Sequence, residues 1–338
     1  MSNTVSRGQL AAMLLIIDAF SMFCLTGDIS LMTLCGLAAG IAVQFLLTVP
    51  AAAYYSSGGT LQSGGKVIEA LYLVYFIIYG GMQLAMLREA AGQIYIPFDN
   101  LGSIPPSFLI TGLIAVVCLY IASNGIRPLA RSALIAAALG AVCTAIVCIT
   151  AFSGGEAAYL TRTVHDTGFA DGFVRSFTGS GVAGSLVVLL GFTDSGHLRT
   201  AAEYYLAKLV FTAAVTASAV LLAGGIMEIA DYPVFTAAQL SQPFSSQRID
   251  SLFLIIFVIT AVFSAAVLTA CAAHLAGDIF PKFRRFRTVS ASAAMALACC
   301  FITDVSRYGT ANAAATVLML FAVPCVLLIR KRAGRDNA

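Results

Sequence analysis

The chain has 338 residues, of which 59% are apolar and only 10% charged, with a formal net charge of +3. So little charge cannot wet the surface of a soluble domain of this length, and long apolar runs between short polar ones mark a polytopic membrane protein. Transmembrane β-barrels alternate every second residue and are far more polar, so the fold class is an all-α membrane protein.

The N-terminal stretch MSNTVSRGQLAAMLLIIDAFSMFCLTGD has one basic residue, an aspartate inside its apolar run and no small-x-small cleavage site. It reads as the first membrane helix and not as a signal peptide. Hydropathy predicts ten spans in all, over residues 9–26, 31–54, 68–93, 106–123, 131–152, 177–195, 203–227, 251–276, 288–306 and 310–330. Turn signals separate several of them: SSGGTLQSGG before span 3, IPP before span 4 and SNGIRP between spans 4 and 5.

Most of the 19 lysines and arginines fall on one side of these spans, among them Lys66, Arg127, Arg131, Arg199, Lys208 and the clusters FPKFRRFR and RKRAGR. Arg88, Arg162, Arg175, Arg248 and Arg307 fall on the other side or at its helix ends. The charge bias places both termini in the cytoplasm. The basic clusters read as juxtamembrane anchors with no nucleic-acid role. The longest outer connections, 153–176 and 228–250, hold most of the acidic residues outside the spans. No stretch between spans is long enough to bury its own core, so the chain is one polytopic domain over 1–338. Ten spans divide into a first repeat near 7–152 and a second near 170–330.

Span 1 opens the first half and span 6 the second, and both are short and interrupted by polar residues. Span 1 has IIDAFSMF, with Asp18 and Ser21 near mid-depth. Span 6 has FTGSGVAGS, with Thr178, Ser180, Gly181 and Ser185. Broken helices at corresponding places in two halves point to the binding site of an inverted-repeat transporter. Unwinding a helix in lipid strands N–H and C=O groups, so it persists only where a ligand, water or protein satisfies them. The half-helix after such a break offers free N–H groups and a positive dipole end to an anionic group such as a carboxylate. The same small residues also fit plain close packing of helices.

A mid-membrane aspartate such as Asp18 is costly and must be paired, protonated or wet. It can hold a substrate amine or carry a proton, or it can bond to a neighbouring span. In span 3, Tyr72, Tyr75, Tyr79 and Gln83 form one helical stripe, with Tyr79 and Gln83 deep enough to face a pocket. Glu69 and the Arg88–Glu89 pair lie near the helix ends and read as interfacial. In span 8, Thr260, Ser264, Cys271 and His274 share one face; the hydroxyls can line a path or bond back to the preceding turn. His274 stands one turn before Asp278, as a relay candidate or an interfacial side chain. His165 and His197 fall in loops.

The nine cysteines all lie in apolar segments and read as small fillers. No CxxC, metal-ligand spacing, Ser–His–acid set, paired carboxylates or P-loop appears, so no enzyme activity, cofactor or metal is expected.

Several stretches, taken in order, resemble the spore germination permease family, the B subunits of nutrient germinant receptors within the amino acid–polyamine–organocation superfamily. They are VSRGQLAAMLLI at the entry to span 1, GGKVIEALYLVYFIIYGGMQLAMLREAAGQIYIP at span 3, NGIRPLARSALI before span 5 and YPVFTAAQLSQPFSSQRIDSLFLIIFVITAVF leading into span 8. The resemblance implies a ten-span inverted repeat with a small-molecule pocket between spans 1, 3, 6 and 8. On that basis the expected ligand-binding residues are Asp18, Ser21, Tyr79, Gln83, Thr178, Ser180, Gly181, Ser185, Thr260 and Ser264. It also implies sensing of a nutrient germinant, an amino acid or similar, in the spore inner membrane. The implied partners are two further receptor subunits, a membrane protein with soluble domains and a lipoprotein. Family members carry a glycine near the middle of span 1, and IIDAFSMF has none. A proton-coupled amino-acid transporter and a non-binding membrane scaffold remain as alternatives.

Overall fold

A computed structural model describes residues 4–26, 29–94, 106–155, 159, 168–178, 182–224, 232–241, 250–283 and 285–336. All regular structure among them is helical. The order is α1 (Arg7–Phe23), α2 (Leu31–Ser56), α3 (Lys66–Ile94), α4 (Pro106–Ser123), α5 (Ile126–Gly154), α6 (Gly168–Thr178) and α7 (Val182–Leu190). It continues with α8 (His197–Ala223), α9 (Pro233–Leu240), α10 (Asp250–Ile279), α11 (Arg287–Phe301), α12 (Gly309–Val317) and α13 (Val323–Asp336). A five-residue π-turn, Leu318–Ala322, joins α12 and α13 into one rod.

Six of these rods are long and apolar enough to cross a membrane: α2, α3, α5, α8, α10 and the Ser306–Ala333 rod. The other four expected spans correspond to shorter pieces. Span 1 is α1, of 17 residues; span 4 is α4, of 18; span 9 is α11, of 15; and span 6 is the pair α6 and α7. A 17-residue helix is about 25 Å long, less than the ~30 Å of a hydrocarbon core.

The expected interruption of span 1 is absent. α1 runs unbroken from a Ser6–Gln9 capping box through Asp18 and Ser21 to Phe23. The reason is local: Ser21 Oγ donates to the Ile17 carbonyl one turn back, at 3.2 Å, and Asp18 is compensated sideways by other helices. No backbone group has to leave the helix. Polar side chains in an apolar helix therefore mark lateral partners here and not a break.

Span 6 is described in two helical pieces, α6 and α7, and begins nine residues before the expected edge; residues 179–181, where the interruption is expected, lie outside the described residues. α6 is polar enough to escape hydropathy, with Asp171 and Arg175 paired one turn apart at 2.5 Å. α6 is held by close backbone contact with α2. A Cβ on Gly36 would lie 2.1 Å from the Phe169 carbonyl oxygen, and one on Gly172 would lie 2.1 Å from the Thr33 carbonyl oxygen. Only glycine lets the two backbones meet at that distance. Close packing through glycine thus joins α2 to α6, and it also occurs at Gly184 of the GSGVAG stretch, where a Cβ would lie 2.2 Å from a Tyr75 ring carbon.

Three further expectations change. Arg88 is buried, donating to the carbonyls of Cys299 at 3.1 Å and Ile302 at 2.6 Å at the end of α11, while Glu89 accepts from Val305 N. Glu69 is also buried. His197 is not in a loop: it opens α8, is buried, and its Nδ1 lies 2.9 Å from Thr193 Oγ1. The nine cysteines are free thiols, as expected of fillers. Parts of the two long connections are helical, as α6 and α9.

Gly172→Ala is expected to destabilise the protein by about 1–3 kcal/mol through overpacking. Gly112→Ala, where a Cβ meets nothing within 4 Å, should be neutral or slightly stabilising. Reversible unfolding of both variants in mixed micelles, followed by circular dichroism, checks the contrast.

Candidate ligand-binding site

Asp18 lies in the last two turns of α1 and is 3% exposed. Both of its carboxylate oxygens are taken by α8. Lys208 Nζ lies 3.0 Å from Oδ1, and Tyr204 Oη donates to Oδ2 in a short hydrogen bond. Tyr204 and Lys208 are one turn apart on α8, so a single face of that helix presents both donors. Lys208 is itself 5% exposed and also donates to Gln44 Oε1 of α2, at 3.2 Å. Lys208 is thus not one of the cytoplasmic cations that the charge count assigned it to. α8 begins at His197 and not at 203, so Lys208 stands about 16 Å along the helix.

The chain of bonds continues to α6. Gln44 Nε2 donates to the Ser176 carbonyl at 2.8 Å and lies 3.4 Å from Ser176 Oγ. Thr48 keeps Gln44 in register, donating to its carbonyl at 2.8 Å while touching Tyr205 Oη at 2.9 Å. Two residues beyond Ser176, the Thr178 carbonyl accepts from Asn312 Nδ2 of α12 at 2.5 Å. Side-chain amides from α2 and α12 therefore take the carbonyls that the end of α6 strands within the bundle, as a helix end there requires.

A second cluster lies one turn further along α1, at Ser21. Gln83 Nε2 donates to Tyr79 Oη at 2.6 Å and to Ser21 Oγ at 3.0 Å, and its Oε1 accepts from Ser264 Oγ at 3.3 Å. Tyr79 stacks on Tyr75, with ring centroids 6.0 Å apart. Four of the expected residues, Ser21, Tyr79, Gln83 and Ser264, are thus brought together between α1, α3 and α10. Thr260 is not among them, because its hydroxyl donates back to Phe257 O at 2.8 Å. Thr178 ends α6 and donates to Arg175 O at 3.2 Å. Ser185 is fully buried in α7, with no hydrogen-bond partner for its Oγ among the described residues. Ser180 and Gly181 lie outside the described residues.

Between α1, α2, α6 and α8 there is a cavity of about 30 Å³, bordered by Asp18, Ser21, Arg175, Ser176 and Lys208. That is room for roughly two waters and is too small for an amino acid.

Sequence reasoning missed Lys208, Tyr204, Gln44, Ser176 and Asn312. One signal was available. A buried Asp18 demands a cation, and AEYYLAKLVFTAAV is the one predicted span interior that supplies a lysine.

The description of the matching protein family is "spore germination protein", and its model covers residues 64–307, well over half of the chain. No curated protein matches the chain.

Removing one partner of a buried ion pair typically costs about 3–5 kcal/mol. Lys208→Met should lose about that much, whereas Asp18→Asn combined with Lys208→Met should lose far less than the two single changes summed. A double-mutant cycle on unfolding free energies measures the coupling.

Proposed function

The chain belongs to the spore germination protein family, and we propose that it is a permease-like receptor subunit that binds a small zwitterionic nutrient, an amino acid or similar, between α1, α6 and α8. The observation that supports this reading best is the bonded series Asp18–Lys208–Gln44–Ser176, which ends on α6 beside a small cavity.

An amino acid carries both charges that the niche already contains. Its ammonium group can replace Lys208 against Asp18, and its carboxylate can replace Asp18 against Lys208. One buried pair then becomes two, with no uncompensated charge left behind. Because Lys208 also holds Gln44, and Gln44 holds the Ser176 carbonyl, such an exchange is felt directly by α6. The cavity must widen for it, and α6 is the element best suited to move, since it is a piece of only 11 residues. Displacement of α6 is then the signal passed to neighbouring receptor subunits, one with soluble domains and one a lipoprotein.

In this reading the chain is a multi-pass protein of the spore inner membrane with both termini in the cytoplasm. Its helices form a five-plus-five inverted repeat. Asp18, Ser21, Tyr79, Gln83, Thr178, Ser180, Gly181, Ser185 and Ser264 lie in or around the pocket, and Thr260 lies at its edge. A second reading, a proton-coupled amino-acid transporter, is favoured by one observation: Asp18 is a buried carboxylate with a lysine and a tyrosine as proton-exchanging neighbours.

Thermal unfolding of the purified chain across a panel of amino acids tests the receptor reading. A cognate zwitterion at 100-fold above its Kd adds about 2.7 kcal/mol of stability. Its N-acetyl and amide derivatives, each lacking one charge, should add little, and Asp18→Asn should abolish the response. If no amino acid shifts the transition, the chain is a non-binding scaffold. Accumulation of labelled amino acid by proteoliposomes containing only this chain would establish the transporter instead.

A further inference from the structure

A second cavity, of about 190 Å³, lies where α2 ends and α3 begins, against the 3-10 turn Leu61–Gly64, the end of α7 and the C-terminal part of α10. It shares no lining residue with the niche at Asp18. Its polar lining includes Glu69, Asp278, Gln62, His274 and Tyr55. Glu69 is 4% exposed, although it lies within the first turn of α3. Asp278 accepts from Gln62 Nε2 at 3.2 Å and lies 3.6 Å from His274 Nε2.

Carboxylates gathered at the end of a helix bundle are commonly no more than a solvated rim. Tyr55 distinguishes this cavity. Its side chain lines the cavity and is 6% exposed, and its hydroxyl has no hydrogen-bond partner among the described residues. Gly191 opposes it, and a Cβ there would come within 3.5 Å of Tyr55 Oη. A buried hydroxyl without a partner is costly and uncommon, and calls for a group that completes it.

The donor set defines that group. Glu69 and Asp278 line the same cavity, and the repulsion of Asp278 on Glu69 outweighs the attraction of Lys66 at the start of α3, so a cation between the two carboxylates relieves it. No group of three or more His, Cys, Asp or Glu suited to a metal ion occurs among the described residues. A primary ammonium group suits the lining better, because it has three N–H donors for two carboxylates and one hydroxyl oxygen. We propose that this cleft is a second binding site, separate from the niche at Asp18, that takes a primary ammonium group between Glu69, Asp278 and Tyr55. The ammonium can belong to a free amine or to the headgroup of phosphatidylethanolamine.

The full chain in phosphatidylcholine nanodiscs is unfolded thermally in ethylammonium, tetramethylammonium or sodium chloride at equal ionic strength. Ethylammonium is expected to raise Tm in a saturable way, while tetramethylammonium, which has no N–H, and sodium are not. Glu69→Gln should abolish the rise. Tyr55→Phe, which removes only an unpartnered oxygen, should leave the resting Tm unchanged and raise the half-saturating concentration several-fold; it decides the matter if Glu69→Gln does not fold. A parallel series in phosphatidylethanolamine discs separates the sources. A higher resting Tm there, lost in Glu69→Gln, supports the headgroup, and a response to added ethylammonium alone supports a free amine. Equal shifts with all three cations, a rise that survives in both variants, or no shift in either lipid overturns the proposal.

Discussion

A carboxylate in the apolar interior of a helix bundle must be compensated within hydrogen-bond distance, and here that requirement falls on Asp18. Its two oxygens are satisfied by Tyr204 and Lys208, which share one face of α8. Lys208 must in turn fill its remaining donor capacity, and Gln44 on α2 accepts from it. Gln44 then has an amide nitrogen to spend, and the Ser176 carbonyl at the end of α6 receives it. One buried charge thus sets the rotation of α1, α2 and α8 about their own axes and ties down a half-helix. An all-apolar interface of the same area would tolerate rotation of any of these helices at lower cost.

α6 is consequently held in two ways of different character. Along its length it lies against α2 through glycine at Gly36 and Gly172, where backbones meet directly and nothing larger fits. At its end it is held by two side-chain amides, Gln44 and Asn312, which donate to the carbonyls of Ser176 and Thr178. The glycine contact is a matter of shape and does not depend on charge. The amide contacts are polar and belong to a network that reaches Asp18. In the proposed reading, a ligand that changes the charge balance at Asp18 acts on the end of α6 while its glycine contact with α2 stays intact. That division suits a conformational signal better than either contact alone, because an element can be released at one end without being lost from the bundle.

The second polar cluster, around Gln83, supports the same geometry one turn further along α1. Ser21, Tyr79 and Ser264 satisfy one another through this amide, so α1, α3 and α10 are pinned by neutral hydrogen bonds. α1 is thereby held at Asp18 by an ionic network and at Ser21 by a neutral one. The cavity of about 30 Å³ is bordered by both residues.

Much of this was legible in the sequence, because it is written in local properties. Apolar runs with little charge dictate membrane helices, since backbone groups in lipid must pair within their own segment. The motifs of spans 3, 5 and 8 carried the family. Asp18 stood out as a group in need of a partner. Only the tertiary structure decided which partner it has, that α1 continues through it unbroken, that Lys208 belongs to the interior and not the surface, and that the space beside the pair is too small for an amino acid. Hydropathy measures each residue against lipid along one helix. Pairing and cavities depend on how helices distant in the chain are turned toward one another, and no window along a single segment contains that information.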